Sequence, residues 1–310
     1  MIKFPIRIAI VGIGKIARDQ HIPAILSNPD FELVALISRS IPTTDFPVFA
    51  SLEAAFDAGV AIDAVAICTP PSARTAACHA AASHGCAILL EKPPAGTGME
   101  ALTLKQIAYE AGVQIFASWH SRFAPMIEAA GEWCASHRLQ SGQITWYEDA
   151  AKWHPGQDWL WRAGGFGVFD PGINALSILS ALYPVTWQVQ HARLHVPENV
   201  EMPVRAQFDL STEASTISVD FDFRSTSTET WSIHLVAQTG ATLDIVDGGA
   251  GVSIDGAQVA HGKSQEYAGI YRRFSELVKM GASDFDISPL AIVEDVFSAA
   301  HVSHVESITI

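Results

Sequence analysis

Hydrophobic and polar positions follow two different grammars along this chain. Up to about residue 120, short β-branched apolar runs alternate with helix-length stretches. Residues 6–11 (IRIAIV), 31–38 (FELVALIS), 63–68 (DAVAIC), 87–91 (AILLE) and 113–117 (VQIFA) read as strands. They carry no polar alternation, which is how parallel strands look when helices cover both faces. Residues 97–100 (TGME) form a capping-box pattern that opens the helix before the last of these strands. Such a succession predicts a parallel, doubly wound sheet.

Beyond residue 121 the pattern changes. A helix is expected over 125–137, a strand over 143–149 and a helix over 172–183. The loop between the last two runs to about twenty residues, a length usually kept for function. Alternating runs at 188–196, 205–210, 216–223, 230–238 and 241–246 then follow one another without helices, which predicts an antiparallel sheet. Two helices, near 269–280 and 289–303, end the chain. The pattern predicts an α/β chain of two domains. A Rossmann-like domain is expected over 1–120, and an α+β domain built on a large open, mostly antiparallel sheet over 121–310.

Composition removes whole classes of function. Apolar residues make up 49% of the chain and charged residues 17%, too rich in core-formers for disorder. Nineteen Lys and Arg against 33 Asp and Glu give a net charge of −14, which argues against nucleic acid and against a membrane surface as partners. Four cysteines, Cys68, Cys78, Cys86 and Cys134, form no Cys-x-x-Cys pair and are expected as reduced thiols. Residues 1–5 lead directly into the first strand, and no apolar run approaches the ~18 residues of a spanning helix. A soluble, cytoplasmic protein is therefore expected. Metal-ligand spacings and the Gly-x-Ser-x-Gly elbow of serine hydrolases do not occur, so no metal site is expected.

The first strand runs into Gly12-Ile13-Gly14-Lys15-Ile16-Ala17. The first glycine permits a tight turn, the second lets backbone approach a pyrophosphate, and a small third residue keeps helix and strand close. A helix N-terminus there would offer N–H groups to phosphates. The second strand ends in Ser38-Arg39-Ser40, where a fold preferring NAD would place a carboxylate on the ribose. Arg39 can instead pair with a 2′-phosphate, so NADP is the expected cofactor, with NAD accepted as well. Gly12, Gly14, Lys15, Ile16, Ser38 and Arg39, with Thr69 and Pro70 after the third strand and Glu91 and Lys92 after the fourth, form the expected cofactor set.

Four segments carry candidate chemistry. Glu91-Lys92-Pro93-Pro94 ends a parallel strand at the edge where such sheets bind ligands, and a Lys-Pro bond can be cis. His120 ends the last strand of the first domain. Trp153-His154-Pro155-Gly156-Gln157 lies in the long loop, and Trp231 lies on a later strand. Indoles beside imidazole and carboxamide suit a sugar, with flat faces on C–H surfaces and polar tips on hydroxyls. Asp170-Pro171 reads as an N-cap followed by N1, with Asn174 one turn further on the same face. Asp170 is thus either a plain helix cap or a carboxylate presented to a ligand.

Gly-x-Gly-x-x-Ala, Glu91-Lys92-Pro93, Trp119-His120-Ser121-Arg122, Trp153-His154-Pro155-Gly156-Gln157 and the run from Phe169 to Ser177 (FDPGINALS) together resemble the Gfo/Idh/MocA family of oxidoreductases over the whole chain. Within it they look like the aldose 1-dehydrogenase branch that acts on L-arabinose and D-galactose. The resemblance implies NAD(P)-dependent oxidation of an aldopyranose (L-arabinose, D-galactose or D-fucose) at C1, giving an aldonolactone. It implies that Lys92, Asp170 and Asn174 act at the substrate, although many relatives carry His where Asn174 stands. Either Asp170 or Lys92 would take the proton, with Asp170 favoured. His120, Glu148, Trp153, His154 and Trp231 would bind the sugar, and the second domain's sheet would form a homodimer. Another sugar or polyol dehydrogenase, or a non-catalytic sugar or dinucleotide sensor, is the alternative.

Overall fold

The computed structural model describes residues 5–40, 44–224, 228–263 and 265–308. Contacts divide the chain into two compact units, Met1–His120 with Glu266–Ile287, and Ser121–Gln265 with Ser288–Ile310. The helix Glu266–Met280 belongs to the first unit. Its apolar face explains this. Tyr271 meets Phe31 edge-on at 5.4 Å, and Phe274 stacks on the same ring at 6.1 Å.

Among the described residues, the first unit holds a six-stranded sheet of β1 (Ile6–Val11), β2 (Phe31–Ile37), β3 (Val48–Phe49), β4 (Ala64–Ile67), β5 (Ala87–Glu91) and β6 (Ile115–Ser118). The order is β3-β2-β1-β4-β5-β6, and every neighbouring pair is parallel. Strands β4 and β5 are buried at every position, as the apolar runs 64–67 and 87–90 require. The strand order reverses at β1, so the crevice beyond the ends of β1 and β4 is where a doubly wound sheet takes a ligand. The helix Gly98–Ala111 starts at the expected cap. Thr97 Oγ1 accepts from the Glu100 N–H at 3.1 Å, while the Glu100 carboxylate turns back to the Gly96 N–H at 2.9 Å rather than to Thr97 itself. Strand β3 has only two residues, too few to leave a periodicity.

The second unit carries a nine-stranded sheet of β7 (Leu139–Tyr147), β8 (Gln188–Pro197), β9 (Arg205–Ser211), β10 (Thr216–Asp222), β11 (Thr230–Ala237), β12 (Thr242–Val246), β13 (Gly251–Ile254), β14 (Ala257–His261) and β15 (His301–Val305). The order is β14-β13-β12-β11-β7-β10-β9-β8-β15. Most ladders are antiparallel, but β7–β10 and β8–β15 are parallel, so the sheet is mixed. Residues expected at the end of a last helix instead form β15, because that helix stops at Ala299.

Alternation along the strands makes two faces. Ile144, Trp146, Val219, Phe221, Ile233 and Leu235 are buried, and helix Phe169–Leu182 packs on β7 and β11. A Cβ on Gly172 would lie 2.4 Å from the Phe221 ring, so glycine is what lets this helix approach the sheet closely. Phe169 adds an edge contact with Phe221 at 6.1 Å and a tilted one with Phe297 at 5.0 Å. The other face carries a half-buried polar network in which Arg205 pairs with Asp220 at 2.7 Å and Tyr147 Oη donates to the same carboxylate at 3.0 Å.

Candidate active site

Gly12 turns the chain out of β1 with φ +88°, a conformation open to glycine at little cost. A Cβ there would sit 2.8 Å from Thr69 Cγ2, so the ends of β1 and β4 touch at this residue. A Cβ on Gly14 would meet nothing within 4 Å, which leaves open space in front of the loop. Ala17 is fully buried against the sheet. Thr69 Oγ1 is buried and has no hydrogen-bond partner.

An open backbone cradle beside an orphaned hydroxyl fits a phosphate. The helix that follows is less regular than expected. Ala17–His21 winds as a π turn before Ile22–Leu26 becomes α-helical. Lys15 and Ile16 are exposed, and the Lys15 ammonium pairs with Asp19 at 2.6 Å. Ser38 follows β2 half-buried, and Arg39 and Pro70 are exposed.

At the end of β5, Lys92 is half-buried and its peptide bond to Pro93 is cis. Glu91, expected to face the cofactor, turns its carboxylate into the unit instead. It accepts from the Lys92 N–H at 2.8 Å, from Tyr267 Oη at 2.8 Å, and from Ser118 Oγ at 3.3 Å, and lies 3.0 Å from His21 Nε2. His21 is fully buried, and its Nδ1 lies 2.7 Å from Tyr271 Oη. Burial alone would raise Glu91, but the hydrogen bond and charge of His21, with help from His120 and Tyr267, hold it down at about 2. Burial likewise opposes a cationic His21, yet the Cys68 sulfur and the Glu91 carboxylate raise it to about 10. His120, expected on a substrate, has its Nδ1 engaged by Glu266 and its ring stacked on Tyr267 at 5.7 Å.

The second unit brings together three of the expected side chains. Glu148 follows β7, and Asp149 caps the short helix Ala150–Trp153 by accepting from the Ala151 N–H at 2.9 Å. That turn delivers His154, whose Nε2 lies 3.0 Å from Glu148 Oε1. Its Nδ1 is buried without a hydrogen-bond partner and lies 3.6 Å from Asp170 Oδ2, close enough for charge but too far for a hydrogen bond. Phe223 stands edge-on to the imidazole at 5.2 Å.

Asp170 corrects the helix-cap expectation. The helix begins at Phe169 with Val168 as its cap, so Asp170 lies inside the first turn and not at the cap position. It is nonetheless only 5% exposed. Its burial beside an imidazole is therefore not explained by helix initiation. Asn174 follows one turn later, half-buried.

Trp153 and Trp231 meet edge to face at 5.9 Å. Trp153 is 40% exposed and donates its indole N–H to Glu229, which also pairs with Lys152 at 2.7 Å. The indole nitrogens of Trp231 and its cross-strand neighbour Trp146 are buried without partners. Glu229, Trp146, His21, Tyr267 and Tyr271 did not stand out in the sequence. Tyr267 and Tyr271 share a helix face at i, i+4, the one signal that could have pointed to them.

A glycine cradle at the switch point of a parallel sheet is the arrangement of a dinucleotide-binding fold, and the second unit by itself sets two buried carboxylates beside an imidazole. Residues 6–118 match the family model described as an oxidoreductase family with an NAD-binding Rossmann fold. The chain is 43% identical over 295 residues to galactose 1-dehydrogenase of Pseudomonas fluorescens, spanning 94% of this chain and 95% of that protein. The crystal structure of D-galactose-1-dehydrogenase from Rhizobium etli superposes with a TM-score of 0.93 at 42% identity, over 99% of both chains. The 3-ketoreductase KijD10 of Actinomadura kijaniata, solved with NADP and TDP-benzene, shares the fold at a TM-score of 0.84 and 18% identity, over 97% of this chain and 99% of that one. The chain belongs to the Gfo/Idh/MocA oxidoreductase family, as its sequence motifs indicated.

Proposed function

We propose that this protein oxidises an aldopyranose at C1 to the aldonolactone, with D-galactose, L-arabinose and D-fucose as substrates. The observation that carries this is the row Glu148–His154–Asp170, an imidazole flanked by two buried carboxylates on the second unit. The similarity to galactose 1-dehydrogenase supports the same chemistry.

When bound, the nicotinamide supplies the hydride acceptor. Gly12, Gly14, Lys15, Ile16, Thr69 and Pro70 would hold the dinucleotide. Ser38 and Arg39, with no carboxylate among residues 38–40, favour NADP, and NAD is accepted as well. As hydride leaves C1, the C1 hydroxyl loses its proton to Asp170, while Lys92 orients and polarises that hydroxyl. The competing assignment gives the proton to Lys92. His154, Glu148 and Asn174 bind ring hydroxyls, Trp153 and Trp231 cover the sugar's C–H face, and His120 borders the site. The three sugars share their configuration at the first four ring carbons, and a pocket discriminates a missing or added carbon by only ~1–3 kcal/mol. The enzyme is cytoplasmic in this account, and the polar face of the second unit's sheet supports a homodimer.

The test is absorbance at 340 nm with purified protein, NADP or NAD, and a panel of aldoses. Reduction with D-galactose, L-arabinose and D-fucose but not with D-glucose is expected. Silence across the panel, with nucleotide binding intact, would overturn the proposal.

A further inference from the structure

Arg74 is only 2% exposed, yet it opens the helix Arg74–Ser83, whose sequence RTAACHAAAS is otherwise mostly small. Burying a guanidinium is costly unless its donors are satisfied, and an apolar residue would fill such a place with less penalty. Its donors have a particular destination. Nε donates to Thr69 O at 2.9 Å, and Nη1 donates to the carbonyls of Glu91 and Pro93. One side chain thus ties the loop after β4 to the loop after β5, gripping the backbone one residue to each side of Lys92.

Glu91 grips the same stretch from the other side. Its Oε2 accepts from the Lys92 N–H at 2.8 Å, while Oε1 gathers His21, Ser118 and Tyr267. His21 balances the buried charge, and keeps Glu91 ionised. The amide and both flanking carbonyls of the lysine loop are therefore fixed by two buried side chains, neither of which reaches the surface.

We propose that Arg74 and Glu91 form a buried clamp that sets the position of Lys92, making both of them positioning residues for the reaction; this rests on the role given to Lys92 above. Glu91→Gln is a directed test. A carboxamide has one acceptor oxygen, which the three donors at Oε1 will claim, so its NH₂ group is left facing the Lys92 N–H. Arg74→Lys keeps the charge but cannot span three carbonyls, and it serves as the second variant should Glu91→Gln not fold. The readouts are kcat, sugar KM, nucleotide Kd and thermal melting, with Lys92→Met measured alongside.

Displacing a reacting group by about 1 Å can cost ~10²-fold, so both clamp variants should lose ~10–10²-fold in kcat while KM and Kd stay within about threefold. Wild-type kcat in both variants, with Lys92→Met inactive, would overturn the clamp and leave the lysine's role standing. A loss confined to nucleotide Kd would show that the clamp shapes the cofactor edge and not the lysine. Full activity in Lys92→Met would remove the lysine's role and the clamp with it.

Discussion

Replacing Asp170 by Asn changes charge and proton affinity while leaving shape nearly untouched. The Asp170 N–H donates to Gly167 O at 3.0 Å through backbone alone, and the helix cap is Val168, so the helix start should survive the change. What is lost is a buried carboxylate 3.6 Å from His154 Nδ1. Removing a general base costs ~10²–10⁴-fold, or about 3–5.5 kcal/mol of transition-state stabilisation. The assay is kcat and sugar KM at saturating NADP, with melting and nucleotide Kd to show that the variant is folded. We expect kcat to fall by ~10²–10⁴ with little change in Kd. A folded Asp170→Asn enzyme that loses less than about tenfold would remove Asp170 from the role and give the proton to Lys92.

Three further outcomes are expected. Arg39→Ala should lower kcat/KM for NADP by ~10–10²-fold, the worth of a charge-assisted hydrogen bond, and leave NAD unchanged; equal losses with both would make Arg39 a bystander. The buried His21–Glu91 pair should give melting temperature a plateau in pH. Glu91 is lowered from 4.5 to about 2, so its stabilisation is present above 4.5 and fades as pH falls toward 2. His21 is raised from 6.5 to about 10, so its stabilisation is complete below 6.5 and lost as pH climbs to 10. Calorimetry should show this alkaline fall in the wild type and a flatter arm in His21→Phe, and a wild-type Tm unchanged from pH 6.5 to pH 10 would contradict it. Gly172→Ala forces a Cβ to within 2.4 Å of Phe221 and should cost ~1–3 kcal/mol in denaturant unfolding; a neutral substitution would show that helix and sheet can part without penalty.

Local periodicity made the strands of the first unit legible, because β1, β4 and β5 are mostly apolar with no polar alternation and are followed within three residues by glycine or proline. The glycine loop was legible for a related reason, since the turn chemistry and the buried Ala17 lie within six residues. Contacts between distant parts of the chain left no such trace. Tyr267 reaches Glu91 across 176 residues, so nothing in the spacing of either could announce the cluster behind Lys92. The same distance hid the return of helix Glu266–Met280 to the first unit. Asp170-Pro171 misled because a good cap sequence lay one residue inside a helix that starts at Phe169. Strands β3, β13 and β14 are too short or too polar to pattern, and β14 is held by its neighbour β13 rather than by its own apolar residues.

Most direct for the central claim is the fate of the hydrogen on C1. D-Galactose deuterated at C1 would be oxidised with NADP, and the reduced nucleotide and the sugar product analysed by mass spectrometry. Direct hydride transfer predicts one deuterium in the reduced nicotinamide and none in the aldonolactone. Deuterium retained in the product, or an unlabelled reduced nucleotide, would contradict oxidation at C1.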